Sequence, residues 1–384
     1  MATATSRKIS AASARGHTRK SKQRTSLPIP SGFLGKIAVV SFIGILAWAY
    51  LATQPPPSKL CGSPDGPPIT APRMKLSDGR HLAYEEFGVP KDQAAYKIVY
   101  VHGFDSCRHD AVIATNLSPD VVESLQVYIV SFDRPGYGES DPNPKIREKS
   151  LAFDIEELAD KLGLGSKFYV AGFSMGGQVV WTCLKYIPHR LAGAALIAPA
   201  VNYWWPNLPA NLSRKVYSEQ LFWDQWALRV AHYAPPWLVY WWHSQKYFPA
   251  FSVSAYSLDV LSSQDKELLP KIHSPRKDYM AQVRQQGEFE SIHRDLMVGF
   301  GSWEFDPMDV KNPLLFSNGE DFPVHLWQGD EDLLVPAALQ RYIAQQLPWI
   351  HYHELQGAGH MFPYADGIAD KIVKSLLIGV KSGL

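Results

Sequence analysis

Residues 169–177 read Tyr169-Val170-Ala171-Gly172-Phe173-Ser174-Met175-Gly176-Gly177. A short apolar run suited to a buried strand leads straight into Gly-x-Ser-x-Gly. The following Gln178-Val179-Val180-Trp181-Thr182-Cys183-Leu184 continues as a helix. Strand, sharp turn and helix form the context in which such a serine becomes a nucleophile elbow. The turn is crowded, and Gly172 and Gly176 offer no β-carbon to clash. A helix beginning directly after Ser174 turns its first unpaired N–H groups toward the serine oxygen. Read without chemistry, the stretch is a glycine-containing strand-to-helix turn with an incidental serine. The elbow reading gains its weight from partners elsewhere in the chain.

Working outward, residues 74–87 form a hairpin with Asp78-Gly79 as its turn. Ile98-Val99-Tyr100-Val101 is a short buried strand ending in His102-Gly103-Phe104. Residues 127–132 are another, ending in Asp133-Arg134-Pro135-Gly136-Tyr137-Gly138-Glu139-Ser140. Leu151, Ile155, Leu158 and Leu162 share one helical face. Residues 195–198 form the strand after the elbow helix. Alternating strand and helix predicts an α/β fold with a mostly parallel sheet and helices on both faces.

A serine hydroxyl at its free pKa is a poor nucleophile and needs a base. Near the C-terminus a strand around Tyr352-His353-Glu354-Leu355 leads into Gln356-Gly357-Ala358-Gly359-His360, whose glycines let a loop carry His360 back over the sheet edge. His351 and His353 are rivals but sit within the strand. The imidazole in turn needs an acid to fix its tautomer. The strand at 324–328 is followed by Gly329-Asp330-Glu331-Asp332, three acids in one loop.

These motifs, in this order and spacing, resemble the α/β-hydrolase superfamily. They are most similar to its plant membrane-anchored, serine-hydrolase-like members, near the esterase and epoxide-hydrolase branch. The resemblance covers roughly 74–200 and 320–384. It implies an eight-stranded α/β-hydrolase fold with a helical cap inserted after the sixth strand. It implies Ser174 as nucleophile and His360 as base. The pattern Gly-x-x-Asp-x-x-x-Pro selects Asp332 as the acid, with Asp330 as runner-up. The backbone N–H groups of Phe104 and Met175 are implied as the oxyanion hole. His102 is expected to brace its loop, and Asp133 to pair with Arg134 or cap the following turn.

The whole chain has 384 residues, 46% of them hydrophobic, enough for one large domain or two. The formal charge is +1, but residues 1–36 hold eight Lys or Arg and no acid, leaving the remainder at a net of about −7. That argues against nucleic acid as a partner of the body. Cys61, Cys107 and Cys183 form no disulfide framework, although a Cys61–Cys107 bridge stays open. With no GxxxxGK[ST], no His-Glu-x-x-His and no Cys pair, neither a metal nor an organic cofactor is expected.

Residues 1–32 read as a disordered basic leader. Residues 33–52 carry an uncharged apolar run from Ile37, with Trp48 and Tyr50 near one end, and suit a transmembrane signal anchor. A cleaved signal peptide and an organelle transit peptide are the competing readings. The anchor predicts a single-pass protein of the endoplasmic reticulum or endomembrane, the transit peptide a chloroplast protein. Asn116-Leu117-Ser118 and Asn211-Leu212-Ser213 match the glycosylation pattern, which matters only for a lumenal body. Residues 53–72, with seven prolines, read as a stiff exposed linker.

The core is assigned to 73–200 and 320–384, and the cap to 201–319. The cap is dense in aromatics. Most are expected to pack it on itself and on the body. Trp241, Trp242 and Phe248 are candidates to line an apolar pocket above Ser174, and a cap that dips into the bilayer is a third reading. Residues 262–297 read as exposed helix and loop. The function that fits is hydrolysis of a small hydrophobic carboxylic ester through an acyl-enzyme. Acyl transfer, cyclisation and a ligand-binding or receptor use of the scaffold are alternatives. Epoxide hydrolysis fits less well, because that branch places Asp where Ser174 stands.

Overall fold

The computed structural model describes residues 32–249, 251–313 and 322–379. Apart from Gly32, the leader expected to be disordered lies outside the described residues. Eight strands form one sheet: β1 (Arg73–Lys75), β2 (His81–Gly88), β3 (Tyr96–Val101), β4 (Val127–Phe132), β5 (Phe168–Phe173), β6 (Leu191–Ile197), β7 (Val324–Gly329) and β8 (His351–Leu355). Their order is β1-β2-β4-β3-β5-β6-β7-β8. β1 and β2 make the expected hairpin, β2 runs antiparallel to β4, and every later neighbour is parallel. This is the α/β-hydrolase fold that the sequence predicted.

Strand residues alternate between two cores. Val99, Val101, Val130 and Val170 face Leu151, Ile155, Leu158 and Val180 from the helices Glu148–Leu162 and Met175–Tyr186. Ile98, Tyr100, Ile129 and Ile197 face Ile372, Val373 and Leu376 of the helix Ile368–Ile378. A sheet buried on both faces explains why these strands read as continuous apolar runs. Parallel strands end at one edge, so the loops after β3, β5, β7 and β8 meet there. A ligand crevice is favoured at that position in such sheets.

Between β6 and β7 lie the helices Ala210–Glu219, Phe222–Tyr233, Pro236–Ser244, Ser263–Val283 and Arg294–Phe300. The helix Ser263–Val283 opens with a capping box in which Ser262 and Asp265 exchange hydrogen bonds. Residues 262–297 meet the expectation of exposed helix and loop only in part: along Ser263–Val283 only Asp265, Ile272 and Val283 are buried, but beyond it Gln286, Ile292 and His293 are buried as well. Their charged neighbours are paired, as with Arg284 on Asp105 and Arg294 on Glu290.

The proline-rich stretch also departs from expectation over residues 59–72. The Lys59 N–H bonds the Gln286 carbonyl at 2.9 Å, and Cys61 is buried against Gly138. The Thr70 N–H reaches Glu139 at 2.8 Å. A turn closed by Ser63 and Gly66 amides lets this segment dock instead of extending. Cys61 and Cys107 are free thiols.

The N-terminal unit, taken by itself, contains the helix Phe33–Ala52. Its 20 residues span about 30 Å at the α-helical rise, and its large apolar side chains from Ile37 to Leu51 are exposed. By length and composition it is apolar enough to cross a membrane.

Candidate active site

Ser174 sits between β5 and the helix Met175–Tyr186 in a backbone conformation that L-residues rarely adopt, φ 55° and ψ −118°. Such strain costs of order 1–3 kcal/mol and persists only where the surroundings enforce it. They do so here: the Ser174 N–H bonds the Ile197 carbonyl at 2.8 Å, and its carbonyl accepts from Gly177 and Ala200 at 2.9 and 3.0 Å. A β-carbon at Gly172 would lie 2.2 Å from the Gly176 carbonyl oxygen, and one at Gly176 would lie 2.1 Å from that of Val101. The glycines of the motif are therefore steric requirements of the turn.

His360 reaches the serine from the loop after β8. Its Nε2 lies 3.0 Å from Ser174 Oγ, and its Nδ1 lies 2.7 Å from Asp332 Oδ2. Asp332 is fixed in turn by Gln328 Nε2 on one oxygen, at 2.9 Å, and by the Leu334 and Val335 amides on the other, at 2.9 and 2.7 Å. These bonds leave Nδ1 to carry the proton and Nε2 free to accept one from the serine. Burial disfavours a charged imidazole, but the Asp332 carboxylate, its hydrogen bond and nearby Asp265 outweigh that and hold His360 above its ordinary pKa. Asp330, the runner-up, turns away and accepts from the Ala358 amide. His353 bonds His325 at 2.8 Å and stacks on Trp327, so this rival is occupied within the sheet.

Sequence reasoning missed Asp265. Its carboxylate accepts the backbone N–H of His360 at 3.1 Å and of Met361 at 2.6 Å, and so pins the histidine loop. The Ser262-x-x-Asp265 capping signature was the available signal, but a cap is read locally and gives no hint of a contact 95 residues away.

The Phe104 and Met175 amides flank the serine and donate to no other group among the described residues. His102 is a brace, as expected: its Nε2 accepts the Arg134 N–H at 3.0 Å and its Nδ1 bonds the Gly103 carbonyl at 2.8 Å. Burial is the main cause that pushes its pKa well below the ordinary value, so the ring is neutral. Asp133 pairs with Arg108 at 2.6 Å and not with its neighbour Arg134, whose guanidinium binds Asp295, but it does cap the following turn, accepting the Glu139 N–H at 2.8 Å. Adjacent residues at a strand end diverge, which sequence proximity concealed.

Above Ser174 lies a cavity of about 540 Å³. Its floor carries Ser174, His360, Phe104 and Met175, and its apolar wall includes Leu228, Leu296, Phe300 and Leu339. Trp241, Trp242 and Phe248 do not line it. Trp242 stacks on Phe248 at 5.4 Å, and Phe248 on Trp223 at 5.5 Å, in a cluster of their own. The aromatic part of the lining comes instead from residues such as Phe173, Tyr203, Phe251, Tyr256, Phe300 and Tyr364. The helix Ser263–Val283 also lines the cavity, through Ile272, Arg276 and Met280. Among the described residues no group of three or more His, Cys, Asp or Glu is placed to hold a metal ion.

A family model described as the alpha/beta hydrolase fold matches residues 97–365. Solved structures with the same fold include the enol-lactonase from Burkholderia xenovorans LB400, 18% identical, covering 79% of this chain and 98% of that one, with a TM-score of 0.52. An alpha/beta hydrolase fold protein from Chitinophaga pinensis is 17% identical over 80% of this chain and 96% of its own, with a TM-score of 0.51. Among curated proteins, bifunctional epoxide hydrolase 2 from Sus scrofa is 31% identical over 86 residues. That match spans 22% of this chain and 14% of the relative.

Proposed function

The chain belongs to the alpha/beta hydrolase fold family, and from that premise we propose that it is a serine hydrolase of hydrophobic carboxylic esters. The observation that supports this reading best is the continuous chain Ser174 Oγ, His360, Asp332, at 3.0 and 2.7 Å, beneath a largely apolar cavity. Ser174 Oγ attacks the ester carbonyl while His360 Nε2 takes its proton. Asp332 stabilises the imidazolium without itself being protonated. The oxyanion of the tetrahedral intermediate is met by the Phe104 and Met175 amides. Its collapse expels the alcohol, protonated by His360, and leaves an acyl-enzyme. Water, deprotonated by His360, then releases the acid.

Epoxide opening, suggested by the short match to an epoxide hydrolase, is disfavoured because the residue at the elbow is an alcohol and not the carboxylate an alkyl-ester intermediate needs. Residues 201–319 serve as a cap over the site, and residues 73–200 and 320–384 as the catalytic core. The helix Phe33–Ala52 acts as a signal anchor that tethers the body to an endomembrane, in keeping with the resemblance to membrane-anchored plant members. A panel of p-nitrophenyl esters from short to long acyl chains tests the reading. Turnover lost in Ser174→Ala supports it, and turnover retained in that variant removes it. Adding an alcohol acceptor and looking for a new ester separates acyl transfer from hydrolysis.

A further inference from the structure

The loop after β3 presents one of the two oxyanion amides, and nearly every polar atom around that amide is tied down. In a trans peptide the carbonyl and the following N–H point in opposite directions. The direction of the Gly103 carbonyl therefore sets that of the Phe104 N–H. The Gly103 carbonyl accepts from Arg134 Nη2 at 2.7 Å and from His102 Nδ1 at 2.8 Å. Arg134 is itself gripped at both ends of its fork by Asp295, at 2.5 and 2.7 Å, and this pair is buried. Tyr137 donates its hydroxyl to the same carboxylate at 2.8 Å and accepts the Asp105 N–H at 3.4 Å.

The next residue, Asp105, has φ 51°, a left-handed conformation without glycine. Its carboxylate is held by Arg284 through two bonds of 2.7 Å and by the Tyr256 hydroxyl at 2.7 Å. Its carbonyl accepts from Arg276. Asp295, Arg284, Tyr256 and Arg276 all come from the segment between β6 and β7, whereas the loop they hold belongs to the sheet.

We infer that Arg284 and Asp295 are positioning residues for the oxyanion hole: through Asp105 and Arg134 they orient the Gly103–Phe104 peptide so that its N–H faces the reacting oxygen. The cap thereby completes the catalytic geometry as well as walling the cavity. The inference rests on the serine hydrolase reading. Loss of one oxyanion donor costs about 100- to 1,000-fold in kcat. Loosening one donor should cost somewhat less.

The test compares Arg284→Gln, Arg284→Lys and Asp295→Asn in the full chain. Each is assayed for kcat, KM and inhibition by a trifluoromethyl ketone, which forms a tetrahedral adduct on serine. The expected result is a kcat about 10- to 100-fold lower, KM within about twofold, and ketone affinity falling in parallel with kcat. Arg284→Lys should recover part of what Arg284→Gln loses. Should Asp295→Asn fail to fold because it strands a buried guanidinium, the partly exposed Arg284 pair carries the test. An unchanged kcat, or a raised KM at unchanged kcat, overturns the inference. Should Ser174→Ala keep its turnover, the serine reading itself fails. Should Ser174→Ala be inactive while the positioning variants keep full kcat, only this inference fails.

Discussion

At Gly176 there is no room for one more carbon atom, since a β-carbon would sit 2.1 Å from the Val101 carbonyl oxygen. In the cap, Trp242, Phe248 and Trp223 stack with ring centres 5.4 and 5.5 Å apart, and Phe248 remains 38% exposed. The elbow is fixed by backbone against backbone, where no side chain fits at Gly172 or Gly176. The cap is fixed by side chains against side chains, where many apolar combinations fill similar space. The same difference governs function. On the proposed reading, the sheet edge sets which atoms meet, and the segment between β6 and β7, which lines much of the cavity, sets what can reach them.

The largest expected contrast lies within the acidic loop and the elbow. Ser174→Ala should lower kcat by about 10⁵ to 10⁶, and Asp332→Asn by about 10⁴, because the wrong imidazole tautomer is then favoured. Asp330→Asn, whose side chain meets the Ala358 amide, should stay within about threefold, as for a residue outside the machinery. Steady-state kinetics on an activated ester reads all three. A large loss in Asp330→Asn would reverse the assignment of the acid.

Next in size is a contrast in stability. Gly176→Ala should cost about 3 kcal/mol from overpacking against backbone. Phe248→Ala should cost about 1 kcal/mol, as for a partly exposed ring. Urea unfolding of both variants checks this. Equal costs would mean that the elbow is not the more rigid region.

The pH profile sharpens the comparison further. His360 must be neutral to accept the serine proton, and its pKa is raised. kcat/KM should therefore fall about tenfold per pH unit on the acid side, with a midpoint above that of an ordinary imidazole. In Asp332→Asn, which lacks the opposing charge, the midpoint should move to lower pH. A midpoint that stays put would detach the carboxylate from the imidazole.

The smallest effects belong to the walls. Leu339→Trp, inside the cavity, should depress kcat/KM for the longest acyl chains about tenfold while sparing acetate esters. Trp242→Leu, outside it, should change the chain-length profile by less than about twofold. The reverse pattern would return Trp242 to the pocket.

How much was legible follows from the same contrast. Val99, Val101, Val130 and Val170 read as buried strands because a sheet covered on both faces leaves no polar alternation to confuse the pattern. Gly172 and Gly176 were legible because a β-carbon at either would collide with backbone, and Ser174 because of its place between them at a strand-to-helix turn. The bonding of Asp332, as against Asp330, follows from turn geometry that the family pattern encodes. Trp241, Trp242 and Phe248 misled because aromatic content marks burial and not which void the rings face. Asp265, Arg284 and Asp295 were invisible because each acts on a loop far away in sequence. The docked segment at 59–72 was read as exposed because prolines signal stiffness, while the bonds to Gln286 and Glu139 are long-range.

The central claim is that Ser174 is an activated nucleophile because His360 and Asp332 stand behind it. A fluorophosphonate probe followed by peptide mass analysis tests it directly. The account predicts one covalent adduct, on the peptide containing Ser174, lost in Ser174→Ala and slowed by orders of magnitude in His360→Ala. Folded protein that takes no label, or a Ser174→Ala variant labelled as fast as the unsubstituted chain, would contradict it.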